Sequence, residues 1–397
     1  MKNLIVIFGG KSTEHDISIL SSMQVLENLD KSKYNIVPVY ISKTGEWYMG
    51  EKLKNLQTFK NFNEKGLKKV AILPTSDHIF VKTIVGYKKL FKVDCAFLVL
   101  HGMNGEDGTL QGLLELSNIP YTSCGVLASS VGMSKYMQKL VFTGLDIPVL
   151  PFCSLSKTEY TKLGKRFNLE KLAFPVVVKP DKLGSSIGIS FCKNITQLKK
   201  ALELAFKFDD LVVIEKAVMN MKEINISVLG DAENVFLSET EQPQTSHQIL
   251  SFVDKYLSGG KDQKGGKLGK NQNFGIKNAD FNQKNSKNSK KGMASLSRII
   301  PADIDDSTLS KVQSIAKSIF TNLECKGVIR IDFIFDNDSQ TLYVNEVNTI
   351  PGSLAFYLWE SKGKSFKTEL DEIIEIAIKT HKDKQNKVMA FESNVIK

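Results

Sequence analysis

Apolar runs alternate with polar, glycine-bearing breaks from the first residues. Leu4 to Phe8 is a continuous apolar stretch closed by Gly9-Gly10, and a helical pattern follows from near Glu14 past Leu26. Ile36 to Ile41 and Asp94 to Leu100 predict two further buried strands, the pattern of a parallel sheet with crossover helices. Functional loops follow the carboxyl ends of such strands. Two polar, glycine-rich segments stand there, Gly9-Gly10-Lys11-Ser12-Thr13-Glu14 and His101-Gly102-Met103-Asn104-Gly105-Glu106-Asp107-Gly108.

The character changes from Cys124. A helix is predicted around Ser134 to Thr143, then a strand from Phe174 to Pro180 that runs into Asp181-Lys182-Leu183-Gly184-Ser185-Ser186. Leu211 to Ile214, Glu223 to Leu229 and Asn234 to Glu241 read as strands, Asp306 to Phe320 as a helix. Gly327 to Phe335 and Thr341 to Asn348 form a strand pair joined through Asp336-Asn337-Asp338-Ser339-Gln340. These breaks divide the chain at 1–123, 124–212 and 213–382, with a polar tail at 383–397.

Composition adds two things. Hydrophobic residues at 42% and charged residues at 24% describe a globular protein, too long at 397 residues for one core. No stretch approaches the roughly 18 apolar residues of a membrane span, so neither export nor a membrane partner is expected and a cytoplasmic location is. Five scattered cysteines lack any CxxC spacing, which argues against a disulfide framework or a zinc site. The net charge of +10 invites a nucleic-acid partner, but Gly259 to Gly292 alone carries nine lysines against Asp262 and Asp280. The excess is local. That segment is too poor in large apolar residues to offset ordering entropy, so a disordered insertion at about 259–292, with no nucleic acid bound, is expected.

The strand pair carries the strongest local chemistry. Alternation puts Ile329, Ile331, Phe333 and Phe335 on one face and Arg330 and Asp332 on the other. A turn centred near Asp338 brings Glu346 opposite Asp332, with Asn348 on the same face as Glu346. Opposed carboxylates are destabilising unless neutralised, and an Asp, Glu and Asn set suits Mg²⁺. The alternative is a solvated face on which Arg330 pairs with one acid. Lys179, followed by Gly184-Ser185-Ser186-Ile187-Gly188, offers an ammonium and a nest of backbone N–H groups to phosphate, without P-loop spacing; a surface hairpin is the other reading.

Taken together, the two glycine-rich loops, Lys179-Pro180 with Gly184-Ser185-Ser186, Lys255-Tyr256, Arg330-Ile331-Asp332-Phe333 and Asn345-Glu346-Val347-Asn348-Thr349 resemble the D-alanine-D-alanine ligases of the ATP-grasp superfamily, from Leu4 to about Ile378. The resemblance implies an α/β (α+β) ATP-grasp fold behind an N-terminal Rossmann-like parallel-sheet domain. It implies ATP and two Mg²⁺ (or Mn²⁺) as cofactors, D-alanine as substrate, and a homodimer. By the same resemblance Lys135, Lys179 and Ser186 hold phosphate, Glu215, Lys216 and Val218 meet adenine, Glu223 contacts ribose, and Asp332, Glu346 and Asn348 bind metal. Glu14 takes the first ammonium in a chain with Ser185 and Tyr256 that locks a mobile loop, and Lys255 reaches the γ-phosphate. Arg330 and the Gly352 N–H stabilise the oxyanion, while His101, Tyr357 and Leu358 bind substrate.

Two departures fall near the second-substrate site. The lysine-rich insertion lengthens the loop after Lys255-Tyr256, and Tyr357 stands where the family usually has a serine that grips the second carboxylate. The implied activity is ATP-dependent D-alanyl-D-alanine formation through an acyl phosphate, for cell-wall precursor synthesis. D-alanyl-D-lactate or D-alanyl-D-serine formation, or a catalytically idle ATP-binding paralogue, are the alternatives.

Overall fold

The computed structural model describes residues 1–163, 173–244 and 297–388, with Ala390 and Val395. Lys255, Tyr256 and the 259–292 insertion lie outside the described residues. Three sheets organise the rest, each with its own apolar core.

The first sheet holds β1 (Lys2–Gly9), β2 (Tyr34–Ile41), β3 (Trp47–Met49), β4 (Lys68–Ile72), β5 (His78–Thr83), β6 (Gly86–Lys92) and β7 (Cys95–Leu98), ordered β6-β5-β4-β3-β2-β1-β7. Strand β1 runs parallel to both β2 and β7. Every residue of β1 from Leu4 onward is buried, as a strand covered on both faces requires. The parallel part is confined to these three strands, since β3 to β6 extend the sheet antiparallel. Helix His15–Asn28 covers one face. Helix Phe366–Gln385 adds Phe366, Leu370, Ile373, Ile374 and Ala377 to this core, and so continues into the stretch expected to be tail.

The second sheet, β10-β9-β11-β8, is antiparallel and comprises β8 (Phe152–Ser156), β9 (Val176–Pro180), β10 (Ser190–Cys192) and β11 (Leu211–Lys216). Helix Ile195–Ala205 lies on it with Leu198, Ala201, Leu202 and Ala205 buried, one stripe at i, i+3, i+4 and i+7. Asn194 caps its start by accepting from the Gln197 N–H.

The third sheet, β14-β13-β12-β15-β16, contains β12 (Met221–Gly230), β13 (Val235–Pro243), β14 (Arg298–Ile299), β15 (Gly327–Asp336) and β16 (Thr341–Asn348), all antiparallel. Helix Asp306–Asn322 packs Val312, Ala316, Ile319 and Phe320 against it. Cys124, Ala128, Phe142 and Ile147 join the same core, so the helices Val126–Met133 and Lys135–Gly144 pack with the third sheet although they precede the second in sequence. All five cysteines are free.

Candidate active site

Helix Lys135–Gly144, the ends of β9 and β11, and strand β16 line one cleft. Lys135, Lys179, Ser186, Glu215, Lys216, Val218 and Glu223, all expected to hold the nucleotide, line it, with Glu346 from the strand pair. Leu150, Val177, Ile189, Phe191 and Ile334 give it apolar walls. A largely apolar cleft with a few convergent charges suits a small molecule with one flat and one anionic end.

Charge in this cleft is fixed by burial. The Lys179 ammonium meets Glu215 at 2.8 Å and donates to Asn345 Oδ1 at 2.9 Å, while Lys135 donates to the Leu183 carbonyl at 2.7 Å and stands 3.7 Å from Glu346. Lys139, which the sequence reading missed, lies fully buried 2.9 Å from the other Glu215 oxygen. It follows Lys135 by one turn, and that i, i+4 spacing was the available signal. Burial alone raises the Glu215 carboxyl, yet Lys139 and Lys179 outweigh it and hold it at about 2. Burial pulls the Lys139 ammonium below its ordinary range.

A narrower cavity adjoins this cleft across Lys135, Leu183, Gly184 and Glu346, and brings in Glu14, Glu106 and Asn348. Glu14 is buried just before helix His15–Asn28, where the Ser185 hydroxyl donates to its carboxylate. Glycines crowd that carboxylate on two sides: a Cβ at Gly184 would meet Oε2 at 2.6 Å, and one at Gly102 at 2.7 Å, so either would force Glu14 to shift. Gly102 also has φ +75°, a left-handed backbone that strains any residue with a side chain.

His101 is buried beneath this corner and tied on both ring nitrogens. Nδ1 lies 3.0 Å from the Ile350 carbonyl, which only accepts, so Nδ1 carries the proton and Nε2 accepts from Ser21 Oγ at 2.9 Å. Burial pushes the imidazole down to about 4. Glu106, also missed from sequence, accepts from the Gly102 N–H at 2.7 Å and from the Ile350 N–H at 3.0 Å. Burial, then the Glu14 charge, pushes its carboxyl upward. Both residues therefore fasten the first-sheet loop to the segment entering Gly352.

On the strand pair, Asp332 faces Glu346 directly and Arg330 faces Asn348, with a bulge after Asp332. The expected register is present. The Arg330 guanidinium grips Asp332 with Nε at 2.6 Å and Nη2 at 2.8 Å, and Asn348 Nδ2 donates to Asp332 Oδ2 at 3.1 Å. Arg330 and Asp332 are buried while Glu346 and Asn348 are half-buried, and the pairing of Arg330 with one acid coexists with the opposed carboxylates. Burial disfavours the guanidinium charge, but Asp332 outweighs it and holds Arg330 well above its ordinary range. Two carboxylates and an amide are hard oxygen donors of the kind Mg²⁺ accepts when phosphate oxygens complete its shell. Among the described residues no group of three or more His, Cys, Asp and Glu is placed to hold a metal ion.

Gly352 opens a short 3₁₀ turn, Gly352–Ala355, in which Ser353, Leu354 and Ala355 have φ of 54°, 54° and 57°. Tyr357 and Leu358 follow, and neither lines the two cavities. Leu358 is fully buried in a small apolar cluster with Ala355, and the Tyr357 hydroxyl donates to Glu241 Oε1 at 3.2 Å.

The sequence matches the D-ala D-ala ligase N-terminus family over residues 3–124 and the D-ala D-ala ligase C-terminus family over residues 141–279 and 272–375. The D-alanine--D-alanine ligase of Thermosipho melanesiensis is 37% identical over 404 residues, covering 100% of this chain and 99% of that protein. Its counterpart from Thermosipho africanus is 38% identical over 395 residues, with 100% and 98% covered. Among solved structures, the D-alanine-D-alanine ligase from Coxiella burnetii superposes with a TM-score of 0.72 at 27% identity, covering 97% of each chain. The VanG D-Ala:D-Ser ligase from Enterococcus faecalis reaches 0.71 at 29% identity, covering 95% of this chain and 99% of that one. With both halves matched and the sheets laid out as above, the chain is an ATP-grasp protein and belongs to the D-alanine-D-alanine ligase family.

Proposed function

We propose that this protein joins two D-alanines at the expense of ATP, through an acyl phosphate, to supply D-alanyl-D-alanine for peptidoglycan precursors. The observation that carries the reading is the shared wall of the two cavities, where Lys135 and Glu346 border both the nucleotide cleft and the Glu14 corner. A carboxylate lying between them has phosphate on one side and fixed donors on the other.

In this reading Lys135 and Lys179 hold phosphates, and Glu14, steadied by Ser185, takes the ammonium of the first D-alanine. Asp332, Glu346 and Asn348 would hold two Mg²⁺ (or Mn²⁺), which when bound neutralise phosphate charge. Arg330 offers a preorganised donor to the oxyanion that forms as the second amine attacks, beside the Gly352 N–H. Burial keeps water from the acyl phosphate. His101 and Glu106 position the Ile350 to Gly352 segment without touching substrate. In the same scheme Lys255 serves the γ-phosphate and Tyr256 the chain with Glu14 and Ser185. The enzyme works in the cytoplasm, as a homodimer.

Phosphate release with D-alanine, D-serine and D-lactate as paired substrates tests this. Turnover with D-alanine alone, and loss of it in Glu346→Ala, is the expected result. Absence of turnover with D-alanine in either position would refute the assignment. D-serine as acceptor is the second reading, because Tyr357 replaces the expected serine; a faster D-alanine plus D-serine reaction selects it.

A further inference from the structure

The register of the third sheet lines up four polar residues in one row. Glu346 on β16 faces Asp332 on β15, Asp332 faces Asn225 on β12, and Asn225 faces Glu241 on β13. Directly paired residues share a face, and at about 4.8 Å per strand Glu241 lies roughly 10 Å from Asp332. The first half of this row belongs to the nucleotide and the oxyanion. The second half has no role in the scheme above.

That second half is closed by a compact cluster. Arg298 Nη1 donates to Glu241 Oε2 at 2.6 Å, Asn225 Nδ2 donates to Glu241 Oε1 at 3.0 Å, and Tyr357 donates to the same oxygen. The Arg298 guanidinium carbon stands 3.8 Å from the centre of the Tyr357 ring. A planar cation stacked on an aromatic and held by a carboxylate loses little entropy when it accepts a further anion. Glu241 is 1% exposed and Arg330, at the other end of the cluster, 5%, so charges here are poorly screened.

Charge balance then indicates what the cluster lacks. Arg330 with Asp332 and Arg298 with Glu241 are two neutral pairs in the free protein. If Asp332 also ligates a metal ion, its charge is shared with that ion and Arg330 keeps less of its counter-charge. A buried excess cation is costly unless an anion joins it. The second amino acid brings one carboxylate, and Arg330 and Arg298 both lie near Tyr357 and Glu241.

We propose that Arg298, held by Glu241 and stacked on Tyr357, determines specificity on the acceptor side by receiving the carboxylate of the second D-amino acid. This rests on the ligase reading above. It explains why a serine is dispensable at position 357: the aromatic ring orients a stronger anion partner. The clamp selects acceptors with a free carboxylate and is indifferent to whether the attacking atom is nitrogen or oxygen.

The test separates the two Michaelis constants for D-alanine and compares D-alanine with D-alaninamide as acceptor. Arg298→Met combined with Glu241→Gln removes both charges without leaving an orphan. Acceptor KM is expected to rise about tenfold or more, the loss of one charge-assisted hydrogen bond, while donor and ATP constants stay within about twofold. The preference for D-alanine over its amide should vanish in this variant, and Arg298→Lys should fall between. An unchanged acceptor KM with the preference retained would overturn the proposal, as would a parallel rise in all constants with a lowered melting temperature. If the double variant does not fold, an Arg298→Lys enzyme indistinguishable from wild type overturns it. Wild-type protein that makes no dipeptide brings down the ligase reading and this one together; an active wild type with insensitive variants brings down this one alone.

Discussion

Arg330 and Asp332 are two residues apart on one strand, and the guanidinium of the first occupies both carboxylate oxygens of the second. In the proposed scheme, metal binding at Asp332 would compete with, or share, a pre-existing buried ion pair. The pair keeps the site neutral in the free protein.

Removing the acid leaves a buried guanidinium unpaired. Asp332→Ala is expected to lose about 3–5 kcal/mol of unfolding free energy, read by denaturant titration. Mg²⁺ with a non-hydrolysable ATP analogue should raise the melting temperature of the wild type through binding to the folded state, and much less that of the variant. An equal rise in both would remove Asp332 from the metal site.

Gly184 sits against the Glu14 carboxylate at a distance no Cβ tolerates. Gly184→Ala should displace Glu14 or the Ser185 turn, raising the donor KM by about an order of magnitude while nucleotide affinity changes little. A variant with unaltered donor KM would show that Glu14 does not take the ammonium.

Burial depresses His101 to about 4 in the folded state against 6.5 for the ordinary imidazole. Between those values the unfolded chain binds the extra proton, so stability rises with pH across this window and is lost as pH falls from about 6.5 to 4. The single-group contribution is at most about 3 kcal/mol. His101→Gln should flatten the pH dependence of denaturation there; a slope identical to wild type would exclude His101 as its source.

Lys135 and Lys139 are one turn apart but face different tasks. Lys135→Met should weaken ATP-analogue binding with modest loss of stability, because its ammonium borders the cleft. Lys139→Met strips a partner from fully buried Glu215 and should cost about 3–5 kcal/mol of stability. Calorimetric binding and denaturation on the two variants distinguish the roles, and the reversed pattern would exchange them.

What could be read from the chain was what depends on neighbours in sequence. Alternation and one turn fixed the Asp332 and Glu346 pairing, and glycine spacing marked the loops that enclose Glu14. The antiparallel extension β3 to β6 was missed because its strands are short and half exposed, with lysines at Lys68, Lys69, Lys82, Lys88, Lys89 and Lys92 that blur any two-residue period. The role of Glu106 depends on Ile350, far along the chain, and the surroundings of Tyr357 depend on Glu241 and Arg298 from other strands. The loyalty of residues 124–147 to the third sheet is likewise set by packing, since their apolar pattern fits either neighbour.

Helix Phe366–Gln385 completes the apolar interior that begins with Leu4. On the ribosome, the opening strands emerge long before the residues that cover them. At roughly 5–20 residues per second the first sheet waits some tens of seconds with that side bare. The newborn N-terminal half thus carries an uncovered apolar face until residues 366–385 have been made.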